Sequence, residues 1–387
     1  LAFMIGMGSG NYMTRSLGAG KRELAEQIVS IAFFTGIIMG LVITVSATFN
    51  IHRVVLLLGA TETIAPYAEA YAHYIFIAAP FMICSFIMNN LLRFQGKASF
   101  AMVGITVGGL LNIALDPLFI FALDMGTAGA ALATGLSQFI SFCILLWMCN
   151  HQDSCISISI RKFRPKLAIY REVLYGGIPS LGRQGIASVA TILMNFMCQP
   201  YGDAAIAAMS IVSRFMFFIN SVIIGFGQGF QPVCSYCFGA GLYDRVKKAC
   251  WFCIRVSTII LLVLSVISFP AARSIITLFR RNDPTVIEIG TLALRLQLIT
   301  LPLQGAVIMG NMMPQSIGYG FRATLVSTAR QGIFLIPLLT IMTYTIGLLG
   351  IQCAQPLADI ATFILSLFVI RGIFKEFPED ASSFAAQ

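Results

Sequence analysis

Charge is what this sequence has least of. Only 11% of its 387 residues are Asp, Glu, Lys or Arg, against about 25% in a soluble globular domain. A chain of this length cannot wet its surface with so few charges, so soluble enzymes and soluble binding modules are excluded at the outset. Histidine is almost missing: His52, His73 and His151 are the three in the chain, far apart in sequence. Neither H-E-x-x-H nor G-x-S-x-G occurs, which removes the common metallohydrolase and serine-hydrolase signatures and leaves a membrane-embedded enzyme as a weak rival. A secretory signal pattern is also lacking.

What is there instead is apolar. Hydrophobic residues make up 58% of the chain and the mean hydropathy is +0.86. Segments long enough to span a bilayer fall at 1–17, 27–49, 68–92, 99–121, 129–149, 168–198, 204–237, 247–270, 286–312, 323–345 and 348–371. The reading is an all-α membrane protein with eleven visible spans. Leu1 already lies inside an apolar run, and the expectation is a chain that lacks its natural N-terminus.

The net charge of +9 would point to nucleic acid in a soluble protein. Here the basic residues follow the loops. One side receives Arg15, Lys21, Arg22, Arg93, Lys97, Arg161, Lys162, Arg164, Lys166, Arg171, Arg245, Lys247, Lys248, Arg322, Arg371 and Lys375, the other only Arg53, Arg273, Arg280 and Arg281. By the positive-inside rule the first side is cytoplasmic, which accounts for the charge with no nucleic acid and places the C-terminus in the cytoplasm. The expected setting is the bacterial plasma membrane. Arg183, Arg214, Arg255, Arg295 and Arg330 fall in or near spans of the second half, where snorkelling or interhelix hydrogen bonds account for most of them.

Ten cysteines sit mainly in apolar segments, which argues against a disulfide framework. Cys234-x-x-Cys237 and Cys250-x-x-Cys253 imitate zinc-ribbon spacing. An internal repeat answers them. At an offset of 221 residues Gly6-x-Gly8 matches Gly227-x-Gly229, Gly18-Ala-Gly20 matches Gly239-Ala-Gly241, and Gly126-x-x-Gly129 matches Gly347-x-x-Gly350. The cysteine positions then correspond to Met13, Ser16, Val29 and Ala32, ordinary packing residues, and no metal site is expected.

Two halves of like layout joined by a basic segment are a common transporter architecture. The division read from the sequence is an N-lobe over 1–149, without its first helix and part of its second, a cytoplasmic linker over 150–166, a C-lobe over 167–375 and a tail over 376–387. Measured against the second half, the first lacks about 50 residues and one complete span, which would make twelve.

One stretch breaks the repeat. Gly104, Gly108, Asn112 and Asp116 recur every four residues and so share a helix face. Two glycines admit a neighbouring helix, and an amide and a carboxylate then point the same way. Pro117 has no N–H for the carbonyl of Ile113. The counterparts of Asn112 and Asp116 are Ile333 and Pro337; a symmetric structural role would have recurred, so an intramembrane carboxylate here is a functional candidate. Asp359 on the last span aligns with Gln138 and is a second carboxylate candidate, for substrate, proton or helix packing. His73 reads as a core histidine.

Leu17-Gly-Ala-Gly20, Arg93-Phe-Gln-Gly-Lys97, Leu111-Asn-Ile-Ala-Leu-Asp-Pro-Leu-Phe-Ile120, Gly126-Thr-Ala-Gly-Ala-Ala-Leu-Ala-Thr134 with Ser137-Gln138, Gly177-Ile-Pro-Ser-Leu-Gly-Arg-Gln-Gly185 and Arg330-Gln-Gly332 together resemble the multidrug and toxic compound extrusion (MATE) family, its bacterial drug-exporter branch. The branch with a second-half glutamate would carry it where this chain has Ala187. The resemblance implies two six-helix lobes and a monomer that exports organic cations and other small amphipathic drugs against inward H⁺ or Na⁺, with no other cofactor. It also implies a first-lobe cation site made of Asn112, Asp116 and Thr134, with an aspartate from a first helix not contained in this sequence. Asp116 suits either ion: burial favours a carboxyl that carries a proton, and oxygens of Asn112, Thr134 and the Ile113 backbone suit a hard cation. Asp359 and Gln138 are a secondary cation or substrate position, and Met194, Phe196, Phe215, Phe218, Arg183 and Gln184 are candidate walls of a substrate cavity, though Phe and Met at helical spacing are the usual filling of any bundle. A lipid-linked or polysaccharide flippase of the same fold is the alternative in the transport class, and a scaffold or receptor would leave the Asn112/Asp116 pair without a purpose.

Overall fold

The computed structural model describes residues 1–57, 64–151, 158–281 and 283–378. By contacts the chain divides into two units, Leu1–Gly177 and Ile178–Gln387. The first contains α1 (Ala2–Gly18), α2 (Arg22–Phe49), α3 (Ile51–Leu57), α4 (Ala65–Phe94), α5 (Ala98–Pro117) and α6 (Gly126–His151). Next comes α7 (Leu167–Cys198), followed in the second unit by α8 (Asp203–Gly239), α9 (Tyr243–Phe279), α10 (Pro284–Thr300), α11 (Gln304–Ile317), α12 (Gly320–Thr328), α13 (Leu335–Ile346) and α14 (Leu348–Glu376). No strand occurs among the described residues. Residues 152–157 of the expected linker and 379–387 of the expected tail lie outside the described residues.

Every apolar segment read from the sequence is helical, and nine helical spans among the described residues are long and apolar enough to cross a membrane. The other two are α1, with 17 residues, and α7, whose composition is diluted by Arg171, Glu172 and Arg183. Two spans of the second unit change helix type along their length while remaining single spans. Pro284–Ile317 runs as α10 and α11 through a 3-10 stretch at Leu301–Leu303, where Pro302 removes a backbone donor mid-helix. Residues 323–345 become α12 and α13 around a π-helical turn, Ala329–Phe334. His73, expected in the core, is exposed on α4, with its ring 5.9 Å from that of Tyr74.

The repeat is written into the backbone. Gly20 and Gly241 both have φ 73°, a conformation that costs glycine nothing, and each closes its helix in the same way. Lys21 N donates to Ser16 O at 2.8 Å, and Leu242 N to Cys237 O at 2.9 Å. Asn89 Nδ2 bonds Ala101 O at 2.7 Å, and Asn311 Nδ2 bonds Ala323 O at 2.8 Å, so the offset has grown to 222 by that point. It is 221 again at Gly126 and Gly347, which share positive φ.

Within the first unit α7 begins by packing on α1. A Cβ at Gly8 would stand 2.0 Å from Val173 O, and one at Gly177 2.1 Å from Met4 O. Ile169 and Val173 accordingly join Met4, Ile5, Met7 and Met13 in one buried cluster. The second unit has its own core along α8–α11, α13 and α14, including Met209, Val212, Leu294, Leu298 and Leu339. Cys234, Cys250 and Cys253 are buried among Phe230, Met309 and Met313, where a thiol acts as a small apolar group.

Candidate functional site

The four-residue periodicity of α5 meets α6 as the glycines require. A Cβ at Gly104 would fall 2.4 Å from the Leu145 side chain, and one at Gly108 3.0 Å from Ser141 Cβ. Ser141 Oγ uses that closeness to donate to Gly104 O at 2.8 Å. Two turns further along the same face, Asn112 Nδ2 donates to Asp116 Oδ1 at 3.2 Å and to Thr134 Oγ1 of α6 at 3.3 Å. Thr134 Oγ1 passes its own hydrogen to Ala130 O at 3.0 Å, leaving its lone pairs toward the amide. Asn112, Asp116 and Thr134 are each half-buried. The helix does not end in a loop after Asp116: Pro117 closes α5 and a π-helical turn follows at once over Leu118–Ala122. Such turns leave backbone groups out of the regular ladder and recur at functional sites. At either offset the counterparts of Asn112 and Asp116 in the second unit are apolar.

The second unit has a polar centre of a different kind. Asp359, 1% exposed, receives Arg330 Nε at 2.8 Å and Gln355 Nε2 at 3.0 Å on Oδ1, and Gln304 Nε2 at 2.9 Å on Oδ2. Its charge is thus matched by an arginine and its lone pairs by two amides. Sequence reasoning singled out Asp359 and Arg330 separately and missed both their pairing and the two glutamines. The available signal was charge alone: they are opposite charges on neighbouring apolar spans. Gln138, the counterpart of Asp359, is half-buried on α6, four residues after Thr134.

The candidate cavity-wall residues differ in burial. Met194 and Phe215 pack against the buried core of the second unit, whereas Phe196 and Phe218 are 65% and 71% exposed. Arg183 Nη1 reaches Asn311 Oδ1 at 3.5 Å, and Gln184 on the next position is exposed. A neighbouring amide chain, Gln231 to Gln315 at 3.4 Å and Gln315 to Ser180 at 2.8 Å, is buried beside them.

Comparison with known proteins agrees with this architecture. The MatE family matches residues 1–118 and 179–341. The Multidrug export protein MepA of Staphylococcus saprophyticus is 28% identical over 370 residues, covering 96% of this chain and 81% of that protein. MepA of Staphylococcus aureus is 29% identical over 373 residues with the same coverage. Among solved structures, a MATE transporter in complex with MaL6 superposes with a TM-score of 0.92 at 24% identity, over 97% of this chain and 85% of that one. An outward-facing multidrug resistance MATE family transporter of the MOP superfamily does so with a TM-score of 0.91 at 24% identity and the same coverage. The chain belongs to the MatE family, whose members are membrane transporters and not enzymes.

Proposed function

We propose that the protein is a multidrug exporter of the plasma membrane, moving cationic and amphipathic small molecules outward in exchange for H⁺ or Na⁺ by alternating access, with its C-terminus in the cytoplasm. The names of the relatives bring multidrug export to this chain, and the basic bias of one set of loops supports the orientation. The observation that carries the coupling is the convergence of Asn112, Asp116 and Thr134 beside Pro117 and the π-turn, in one half of a repeat whose other half is apolar there.

The chemistry follows from the donors. Asp116 is held as an acceptor by the Asn112 N–H. When it takes a proton, the charge that strengthens the Asn112 N–H bond is lost and the carboxyl gains an O–H donor of its own; when it takes a cation, the amide can turn to offer Oδ1 beside Thr134 Oγ1, an all-oxygen set for a hard ion. Either event changes the bonding between α5 and α6, and a ligand that bonds differently to two helix arrangements shifts the population between them. The test is ethidium efflux in a drug-sensitive host, with and without an uncoupler, for the natural protein and Asp116→Asn. Loss of energy-dependent efflux with normal membrane insertion is the expected result. Full drug resistance from Asp116→Asn would overturn the assignment.

A further inference from the structure

The three arginines at the end of α9 stand apart from the charge pattern. They lie at the opposite end of the helix from the Gly239-Ala-Gly241 turn, on the side that receives few basic residues. Helix C-termini attract cations, but that rule does not settle where their counter-charges are. Arg280 finds one in Asp283 at 3.8 Å. Arg273 and Arg281 pair with no carboxylate among the described residues. With Ser274, Thr277 and Leu278 they line a hollow of about 350 Å³.

The repeat supplies the comparison. Arg273 corresponds to His52 of α3, whose Nδ1 lies 2.6 Å from Glu69 Oε1 on α4. In the second unit the position of Glu69 falls on Gly290 or Thr291, and Gly290 packs against Ile276 with no room for an acid. The first unit therefore carries its own counter-anion at this place, and the second carries a hollow between two guanidinium groups. The depth is also marked. Leu278 and Phe279 are 71% and 54% exposed beside the arginines, as at the boundary of hydrocarbon and water. At 1.5 Å per residue, the 37 residues of α9 reach about 55 Å, well past a hydrocarbon core of about 30 Å.

We propose that Arg273 and Arg281 hold the phosphate of an anionic phospholipid headgroup, with hydroxyls of Ser274 and Thr277 at the rim and an acyl chain along Leu278. Guanidinium suits this ligand because its fork matches phosphate oxygens. The full chain is purified, delipidated and reconstituted in nanodiscs of phosphatidylcholine with a minor fraction of phosphatidylglycerol, and lipid retained on extraction is weighed by native mass spectrometry. The expected result is about tenfold preference for phosphatidylglycerol, because phosphatidylcholine offers the same phosphate with a choline cation that the two guanidinium groups repel. Arg273→Gln/Arg281→Gln should reduce that preference to near unity, and Arg53→Gln should leave it unchanged. Equal retention in the double variant, or an equal loss with Arg53→Gln, would overturn the proposal. So would displacement of the lipid by millimolar glycerol phosphate, since the hollow would then be a small-anion site.

Discussion

Arg330 Nε lies 2.8 Å from Asp359 Oδ1, joining the π-helical turn between α12 and α13 to the middle of α14. Asp359 is buried and Arg330 only 22% exposed, so neither charge is fully hydrated if the other leaves. Removing one partner of a buried pair costs about 3–5 kcal/mol, while removing both is often nearly neutral. Arg330→Gln and Asp359→Asn should each lower the unfolding temperature in detergent, and the double variant should recover most of the loss. Efflux by the double variant separates packing from transport. A stable double variant that exports dyes at the natural rate makes the pair an interhelix clamp; a stable one that exports nothing gives Asp359 a part in substrate or proton handling.

Thr134 offers a finer test of the first-unit site than removal of the carboxylate. Its oxygen accepts from Asn112 Nδ2 at 3.3 Å while its hydrogen goes to Ala130 O. Thr134→Val keeps the shape and deletes the acceptor; Thr134→Ser keeps the acceptor. One lost hydrogen bond is worth about 1 kcal/mol, so the initial rate of dye efflux should fall about fivefold for valine and stay near the natural rate for serine. Equal rates for both variants at matched expression would show that the hydroxyl takes no part.

The Gly104–Gly108–Asn112–Asp116 face was legible in the sequence because a helix fixes which residues point together, and a carboxylate in an apolar run has few reasons to be there. The two Gly-Ala-Gly turns were legible because positive φ leaves glycine as the ordinary choice. The Arg330–Asp359 pair was not, since it joins helices 29 residues apart in sequence and the π-turn that carries Arg330 has no periodicity to betray it. The 3-10 stretch at Leu301–Leu303 and the π-turn at Ala329–Phe334 were hidden for the same reason: hydropathy runs on through them. His73 was misplaced because an apolar neighbourhood in a membrane helix does not say which flank faces out.

Gly104 separates close packing from chemistry on α5. The obstruction to a Cβ there is the Leu145 side chain at 2.4 Å, which can be cut back. Gly104→Ala should cost about 1–3 kcal/mol through overpacking, lowering both thermal stability and efflux, because Asn112 and Thr134 depend on the same helix approach. Leu145→Ala in the same chain should restore part of each. If the second substitution restores stability and efflux stays low, the α5–α6 spacing at the site has not been recovered.

Gly8 and Gly229 occupy the same place in the repeat and should behave in opposite ways. A Cβ at Gly8 would meet the backbone oxygen of Val173 at 2.0 Å, whereas one at Gly229 meets nothing within 4 Å. Backbone cannot be trimmed, so Val173→Ala should not rescue Gly8→Ala, and the start of α7 would have to leave α1. Gly229→Ala meets no obstacle and removes a flexible residue from a long helix, a change worth about 0.5–1 kcal/mol in favour of the folded state. The measurement is the yield of monodisperse protein after detergent extraction, with its unfolding temperature: a sharp fall for Gly8→Ala and Gly177→Ala, and an unchanged or raised value for Gly229→Ala. Equal tolerance at Gly8 and Gly229 would mean that the α1–α7 contact is looser than the backbone places it.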